Sequence, residues 1–268
     1  MTPAEIQAQR KIAAQLQRVL IVDPTPSARL LGDLLKQAGA KMVHVETGVN
    51  TAMAACQAID PQMVFTELSG PNLDGLAFVR ALRRSHMGCR KVPVIVVTTE
   101  ATAATITASR DAGVHEFLRK PFTLKDLNRR LEAVALKGRP WVEAVQYVGP
   151  DRRRFNSGDY QGARKRRSDA EIATPQGRLL QALKILRSAI DALDSDPAQA
   201  MRAIQAQVVE LQAVAQQTQD ASLAQAVFAL NQMVKLSALA GQVTRGEFEA
   251  SAKGLWAFKP AEAARPAA

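Results

Sequence analysis

The stretch of sequence that decides the fold is QMVFTELSGPNLDG, residues 62–75. It opens with a short apolar run that ends on Glu67, and it continues with the turn-forming residues Ser, Gly, Pro and Asn before an Asp-Gly step. A short apolar run bounded by turn residues predicts a buried strand. The strand is therefore expected to end on a carboxylate, and a helix is expected to begin at Gly75.

The same strand-then-helix unit recurs on both sides of this segment. Short apolar runs predict strands at 18–22, 42–45, 62–67, 93–98 and 115–118. Helical patterns lie between them, at 26–38, 49–58, 75–86, 101–112 and 123–136. Strict alternation of this kind indicates the α/β class, with a five-stranded, doubly wound parallel sheet that carries helices on both faces.

Polar residues stand at the ends of four of the predicted strands. Asp23 follows the first strand and Glu67 ends the third. Thr98 ends the fourth, and Lys120 follows the fifth. Because functional groups collect at the carboxyl ends of parallel strands, we expect these four side chains to lie together. Two carboxylates, a hydroxyl and an ammonium group can hold a phosphoryl group, with Mg²⁺ on the carboxylates.

The spacing of these four residues, together with PNLDG at 71–75 and KPF at 120–122, resembles that of response-regulator receiver domains of the chemotaxis type. The resemblance covers residues 17–136 and implies a flavodoxin-like fold. It implies that Asp23, Glu67, Thr98 and Lys120 stand at a phosphoacceptor site. It also implies that Thr98 and Phe117 are the switch pair through which such domains change state.

The sequence departs from the family pattern at three positions, and the changes at Pro24 and Glu67 predict that this site is degenerate. The first strand of the family ends in two acidic residues, whereas here the pair is Asp23-Pro24. The phosphorylated aspartate is replaced by Glu67, and the commoner tyrosine of the switch pair is replaced by Phe117. Because glutamate is one methylene longer, its carboxylate is expected to reach toward the phosphoryl position and to pair with Lys120.

These departures predict an impaired magnesium site, with no catalytic residue, no bound metal and no cofactor. A locked, active-like receiver is one hypothesis for the Glu67–Lys120 pair. The alternative is a purely structural ion pair. Asp23 has a structural alternative as well, because an aspartate can hydrogen-bond the turn that follows it.

The rest of the chain divides by pattern. Residues 1–17 predict an N-terminal helix and 18–137 the receiver-like domain. Pro, Gly and charge at 138–175 predict an extended, partly disordered basic linker, with Trp141, Tyr147 and Phe155 able to pin it to a folded surface. Apolar stripes at 176–255 predict a small all-α domain of three helices. An Ala- and Pro-rich disordered tail is expected at 256–268.

The formal charge of +10 is concentrated in the linker. The basic residues there are Arg152, Arg153, Arg154, Arg164, Lys165, Arg166 and Arg167. Such a block suggests an acidic partner, a phosphate-bearing ligand or a membrane surface, although charge runs are often simply solvated. The stretch also loosely resembles the arginine-rich extension of receivers that bind cyclic di-GMP.

Several classes of protein are disfavoured. Two cysteines without metal-like spacing fit a reduced compartment, and no apolar run reaches the roughly 18 residues of a membrane span. The first residues lack the apolar core of a signal peptide, so a cytoplasmic location is expected. No histidine follows His115, which argues against a histidine phosphotransfer bundle, and the nearly neutral residues 176–245 argue against specific DNA binding.

The sequence therefore predicts a non-enzymatic adaptor of two-component or chemotaxis-type signalling, which acts without phosphorylation by binding a kinase, motor or scaffold protein. Three alternatives remain open: a cyclic di-GMP sensor, a phosphorylatable response regulator and a non-specific nucleic-acid binder. Homodimerisation through the helical domain is a further expectation.

Overall fold

The computed structural model describes residues 3–152, 174–240 and 244–258. The chain divides into two compact units. The first contains Met1–Val142 and Tyr147–Gln161, and the second contains Glu143–Gln146 and Gly162–Ala268.

The first unit is an α/β domain. Its strands are β1 (Arg18–Val22), β2 (Met42–Glu46), β3 (Met63–Thr66), β4 (Ser69–Gly70), β5 (Leu73–Asp74), β6 (Val94–Thr98), β7 (Glu116–Arg119), β8 (Trp141–Glu143) and β9 (Val148–Pro150). Its helices are α1 (Pro3–Gln15), α2 (Ser27–Gln37), α3 (Val49–Ile59), α4 (Gly75–Arg84), α5 (Ala103–Ala112) and α6 (Leu124–Leu136), with a 3-10 turn at Gly88–Lys91. The main sheet has the order β2-β1-β3-β6-β7, and all its strand pairs are parallel. The predicted five-stranded, doubly wound sheet is confirmed.

The sheet is buried on both faces because its central strands carry apolar residues at successive positions, as in Val19–Val22 of β1. Along β1, Val19 and Ile21 join one core with α2 and α6, while Leu20 and Val22 join the other core with α3 and α4. Side chains alternate between the two faces of a strand, so a continuous apolar run supplies both cores. This explains why the sequence showed short apolar blocks rather than alternating polarity.

The backbone brings the ends of the strands into register at one edge of the sheet. Asp23 N–H donates to the Glu46 carbonyl at 2.9 Å, and Glu67 N–H donates to the Val22 carbonyl at the same distance. On the other side, Lys120 N–H donates to the Thr98 carbonyl at 2.7 Å. Backbone hydrogen bonds that continue the sheet therefore position the residues that follow β1, β3 and β7, independently of any side-chain contact.

The chain does not become an extended linker at residue 138, which corrects the sequence prediction. Residues 141–143 and 148–150 form the two-stranded sheet β8–β9. The Trp141 ring packs on the guanidinium of Arg83, with 5.3 Å between the guanidinium carbon and the ring centroid. Arg83 is itself fully buried and donates to the Gly113, Arg90 and Val92 carbonyls at 2.7–3.1 Å. Trp141 thus pins this segment as the sequence suggested, whereas Phe155 lies outside the described residues.

The second unit is helical. Its helices are α7 (Pro175–Asp191), α8 (Pro197–Thr218), α9 (Ala221–Ala240) and α10 (Arg245–Ala252), followed by a 3-10 turn at Lys253–Phe258. The predicted stripes of α7, α8 and α9 form one core that also contains Phe248 and Leu255. In the described part of the chain this gives four α-helices where three were predicted, because the short α10 carries too few apolar residues to show a stripe. Trp256 and Phe258 pack against the same core, so the predicted tail does not begin at 256.

Residues Glu143–Gln146 belong to the helical unit and are held there by polar contacts. The buried Gln199 side chain donates to the Glu143 carboxylate at 3.0 Å and to the Ala144 carbonyl at 3.1 Å. Gln207 donates to the Glu143 carbonyl at 3.3 Å.

None of the helices in the described ranges is both long enough and apolar enough to cross a membrane.

Gly75 is predicted to be essential for the geometry around Glu67. A Cβ atom at this position would lie 1.9 Å from the Glu67 carbonyl oxygen and 2.9 Å from Thr66 Oγ1. Because backbone must move to admit the methyl group, Gly75→Ala is expected to lower the free energy of unfolding of the first unit by about 2–3 kcal/mol. Urea denaturation followed by Trp141 fluorescence, in a Trp256→Phe background, measures this unit alone.

Gly138→Ala is the matched control, because nothing lies within 4 Å of a Cβ atom at that position. Its expected effect is within about 0.5 kcal/mol, as for most surface substitutions. Equal stabilities of the two variants would show that the close approach at Gly75 is relieved without cost.

Candidate functional site

The Lys120 ammonium group lies between two carboxylates at the carboxyl edge of the sheet. Its Nζ is 2.7 Å from Glu67 Oε2 and 2.9 Å from Asp23 Oδ2. The three side chains are nearly removed from solvent, with exposed fractions of 13% for Lys120, 9% for Glu67 and 3% for Asp23. The Glu67–Lys120 pair expected from the sequence is therefore present, and Asp23 joins it.

Asp23 is also held by the turn that follows β1. Its Oδ1 accepts hydrogen bonds from the Thr25 N–H at 2.8 Å and the Thr25 hydroxyl at 2.6 Å. Its Oδ2 accepts from the Ser27 hydroxyl at 3.0 Å, in addition to Lys120. Asp23 thus makes the turn contact that was its structural alternative, while also taking part in the ion pair.

The sequence analysis missed Thr25 and Ser27 as partners of Asp23. A signal for them exists, since Asp23-Pro-Thr25-Pro-Ser27 places hydroxyl residues two and four positions after an aspartate. Aspartate followed by such residues is typical of a turn in which the carboxylate accepts from the backbone two residues on. Which hydroxyls reach the carboxylate depends on how Pro24 and Pro26 direct the chain.

The charged states of Asp23 and Lys120 are stabilised by these contacts. Burial by itself would raise the pKa of Asp23, but the hydrogen bonds from Thr25 and Lys120 outweigh it and lower that pKa below 3.8. Burial would likewise lower the pKa of Lys120, but the hydrogen bonds to Glu67 and Asp23 raise it above 10.5. The lysine and Asp23 are therefore both ionised at neutral pH.

Glu67 has each carboxylate oxygen engaged by a different donor. Oε1 accepts from the Leu68 N–H at 2.8 Å, and Oε2 accepts from Lys120. The adjoining loop is close-packed, since a Cβ atom at Gly70 would lie 2.5 Å from the Pro24 ring. The extra methylene of glutamate thus lets the Glu67 carboxylate reach Lys120, and the ion pair between them occupies the site.

Thr98 and Phe117, the expected switch pair, are both buried. The Thr98 hydroxyl accepts from the Glu100 N–H at 3.2 Å, and its side chain is 2% exposed. Phe117 is 5% exposed and belongs to the core formed with α3, α4 and α5. The aromatic ring of the expected switch pair is therefore directed into the protein rather than toward solvent.

The residues at this edge do not fit a magnesium site of the receiver type. Pro24 supplies no carboxylate, and the oxygens of Asp23 and Glu67 already accept from hydroxyl, amide and ammonium donors. A metal ion needs several oxygen ligands, so it would have to displace Lys120 and lose these bonds. Among the described residues no cluster of three His, Cys, Asp or Glu side chains is arranged to hold a metal ion.

The basic stretch is described only at its start. Arg152 forms an ion pair with Asp111 at 3.2 Å and lies 4.5 Å from the centroid of the Tyr147 ring. Both contacts are within the first unit. The six other candidate residues of the stretch, Arg153, Arg154, Arg164, Lys165, Arg166 and Arg167, lie outside the described residues.

Lys120→Met is predicted to destabilise the first unit strongly at neutral pH. The substitution leaves the buried Asp23 and Glu67 carboxylates without their shared cation, and removing one partner of a buried pair costs about 3–5 kcal/mol. Urea denaturation of the single-tryptophan background measures the loss. Lys125→Met, at an exposed position at the start of α6, is the matched control and is expected to change stability little.

The loss of unfolding free energy in Lys120→Met is expected to depend on pH, and the direction follows from the two pKa shifts. Because the folded pKa of Asp23 is lowered, its stabilisation is present above about pH 3.8 and is lost as the pH falls through the folded pKa. Because the folded pKa of Lys120 is raised, its stabilisation is present below about pH 10.5 and is lost as the pH rises through the folded pKa. The difference between wild type and Lys120→Met should be largest between these limits, and a pH-independent difference would contradict the ion-pair explanation.

Comparison with known proteins finds similarity over the α/β domain. The family model described as the response regulator receiver domain matches residues 19–132. A probable chemotaxis protein CheY of Rhizobium etli is 29% identical over 122 residues, which cover 45% of this chain and 94% of that protein. Chemotaxis protein CheY1 of Helicobacter pylori is 29% identical over 119 residues, covering 44% and 95%. Chemotaxis protein CheY4 of Vibrio cholerae, a solved structure, is 25% identical, with 44% and 98% covered and a TM-score of 0.42.

The sheet order, the position of Asp23, Glu67, Thr98 and Lys120 at its carboxyl edge and the family match all concern the same part of the chain. Residues 19–132 belong to the response regulator receiver domain family.

Proposed function

We propose that this protein is a phosphorylation-independent adaptor of two-component or chemotaxis-type signalling, which acts by binding a protein partner rather than by catalysis. The observation that carries the proposal is the Lys120 ammonium held between Glu67 and Asp23 at 2.7 and 2.9 Å. The proposal places the protein in the cytoplasm with the kinases, motors and scaffolds of such pathways.

The first supporting argument concerns the chemistry of the acceptor. A carboxylate that accepts a phosphoryl group needs a free oxygen as nucleophile and a nearby cation to neutralise the charge that develops. Both Glu67 oxygens are engaged, one by the Leu68 N–H and one by Lys120. The cation is already paired with two carboxylates, so phosphoryl transfer would first have to break the contacts that hold the site together.

The second supporting argument concerns the state of the receiver. The Glu67 carboxylate supplies a permanent negative charge beside Lys120, where the family's phosphoryl group would supply a transient one. Phe117 and Thr98 are both buried, and the Thr98 carbonyl accepts a hydrogen bond from the Lys120 N–H. We therefore propose that the receiver is held in one active-like arrangement, so that its partner-binding surface is always available.

The third supporting argument concerns the surface itself. The face formed by α5, β7 and α6 ends at an edge of the sheet, because β7 pairs only with β6 in the main sheet. It exposes Arg119, the 40%-exposed Leu124 and Lys125 around the end of β7. A basic rim around an apolar side chain suits a partner whose docking surface is acidic with an apolar centre.

Wild-type protein is predicted not to respond to beryllofluoride with Mg²⁺, a mimic of the phosphoryl group. The double variant Pro24→Asp, Glu67→Asp restores both missing features of the family and is expected to gain Mg²⁺-dependent binding. Isothermal titration calorimetry measures binding. Intact mass after incubation with acetyl phosphate measures covalent phosphorylation.

Glu67→Gln is the control for this experiment, since it keeps the length of the side chain but removes its charge. It should neither bind beryllofluoride nor gain mass. A Mg²⁺-dependent response of the wild-type protein would overturn the proposal in favour of the phosphorylatable response regulator.

Partner capture is predicted to be the same with and without a phosphoryl donor. The full chain is immobilised and exposed to native extract, and co-purifying signalling proteins are quantified by mass spectrometry. Charge reversal by Arg119→Glu and Lys125→Glu should lower recovery several-fold, because rim charges speed association with an oppositely charged surface. Lys36→Glu is the matched control, because α2 follows β1, which is separated from β7 in the sheet by β3 and β6.

Recovery of a signalling protein only after treatment with acetyl phosphate would contradict an adaptor that works without phosphorylation. The cyclic di-GMP alternative makes a different prediction, namely saturable nucleotide binding that is lost in Arg152→Ala and Arg166→Ala. In the described part of the chain Arg152 is already engaged by Asp111 and Tyr147, which does not favour that alternative.

A further inference from the structure

The two cysteines of the chain lie side by side although they are far apart in sequence. Cys56 is in the last turn of α3, and Cys89 is in the 3-10 turn at Gly88–Lys91. Cys89 Sγ lies 3.5 Å from the Cys56 carbonyl oxygen, across a sequence separation of 33 residues. Both side chains belong to the core between the sheet and α3, α4 and α5. The receiver fold thus brings together the only two thiols of the protein.

The thiol groups also interact with each other. Contact with Cys89 raises the pKa of Cys56, and burial adds to that effect. The same contact lowers the pKa of Cys89, because the Cys56 thiol stabilises the neighbouring thiolate. The two sulfurs are therefore unequal, with Cys89 the better nucleophile.

The pair is close to the surface of the domain. A cleft of about 370 Å³ opens between the end of α3 and residues 85–88, and Cys56 lines its wall together with Asp60 and His86. Cys89 is 5% exposed and Cys56 is 1% exposed. A small oxidant in this cleft would reach the cysteines after a local movement of the short 85–91 segment, without opening of the sheet.

We propose that Cys56 and Cys89 form a redox-sensitive dithiol that closes to an intramolecular disulfide when it reacts with a low-molecular-weight disulfide such as oxidised glutathione. This modification site is independent of the Glu67–Lys120 pair and of the proposed adaptor function. In a reducing compartment such disulfides are usually transient and regulatory rather than structural.

The exchange balances in two steps. The Cys89 thiolate attacks one sulfur of the oxidant, forms a mixed disulfide and releases one thiolate. Cys56 then loses its proton to water and attacks Cys89 Sγ, which releases the second thiolate. The two protein thiols lose two electrons and two protons in total. The external disulfide is reduced to two thiols, which take up the protons.

The disulfide would tie α3 to the 3-10 turn. That turn also holds Arg90, whose carbonyl accepts from the buried Arg83 guanidinium at 2.7 Å. Arg83 in turn supports the Trp141 ring. Oxidation would therefore fix the end of the receiver on which β8 packs, opposite the edge that carries Lys120.

Oxidised glutathione added to the native, reduced full-length chain tests the proposal. The expected product is a monomer that has lost two hydrogens in intact mass. Alkylation with maleimide after denaturation should find no free thiol, and peptide mapping should find one cross-link between Cys56 and Cys89. Thermal unfolding followed by Trp141 fluorescence, in the Trp256→Phe background, should show the oxidised receiver unfolding at a higher temperature than the reduced one.

Single variants separate the role of Cys89, which attacks the oxidant, from the role of Cys56, which closes the disulfide. In Cys56→Ser the glutathione adduct should remain on Cys89, whereas in Cys89→Ser the less exposed Cys56 should stay reduced over the same period. Intermolecular dimers, a lowered unfolding temperature of the oxidised chain, or closure only in partly denaturing urea would each overturn the proposal, because each would show that the native fold does not allow the bond.

Discussion

The arrangement of the receiver unit depends on one cation held between two buried carboxylates. Lys120 comes from the end of β7, Asp23 from the end of β1 and Glu67 from the end of β3, so the pair of contacts spans most of the width of the sheet. Taking three charges out of water is costly, and the cost is offset only when each has good partners. The hydroxyls of Thr25 and Ser27 and the N–H of Leu68 supply the remaining hydrogen bonds, which allows the cluster to be nearly solvent-free.

The length of the Glu67 side chain decides how this edge works. In the family the equivalent aspartate leaves room for a phosphoryl group and a metal ion, whereas here the carboxylate reaches the lysine directly. The backbone around Glu67 is closely packed. Gly75 abuts the Glu67 carbonyl, and Pro24 abuts Gly70.

The segment after the receiver extends the domain rather than leaving it. Trp141 covers the fully buried guanidinium of Arg83, which donates to three backbone carbonyls and lies 3.2 Å from the His115 Nδ1. Beyond it, the Tyr147 hydroxyl donates to the Pro150 carbonyl and the Arg152 guanidinium packs on the Tyr147 ring. A stretch rich in Pro, Gly and charge is ordered here because Trp141 and Tyr147 find specific cationic and carbonyl partners. Some of these partners are close by in the chain, whereas Arg83 is remote in sequence.

The sequence by itself determined the sheet, the order of its strands and helices, and the edge on which Asp23, Glu67, Thr98 and Lys120 meet, because apolar blocks and turn residues act locally and parallel strands align their carboxyl ends. Only the tertiary structure decided which hydrogen-bond and ion-pair partners these side chains have. It added Thr25 and Ser27 to Asp23, placed the Thr98 hydroxyl on the Glu100 N–H, and ordered residues 138–152. It also brought Cys56 next to Cys89. Periodicity cannot reveal such choices, because they depend on distances between residues that are close in space and remote in sequence.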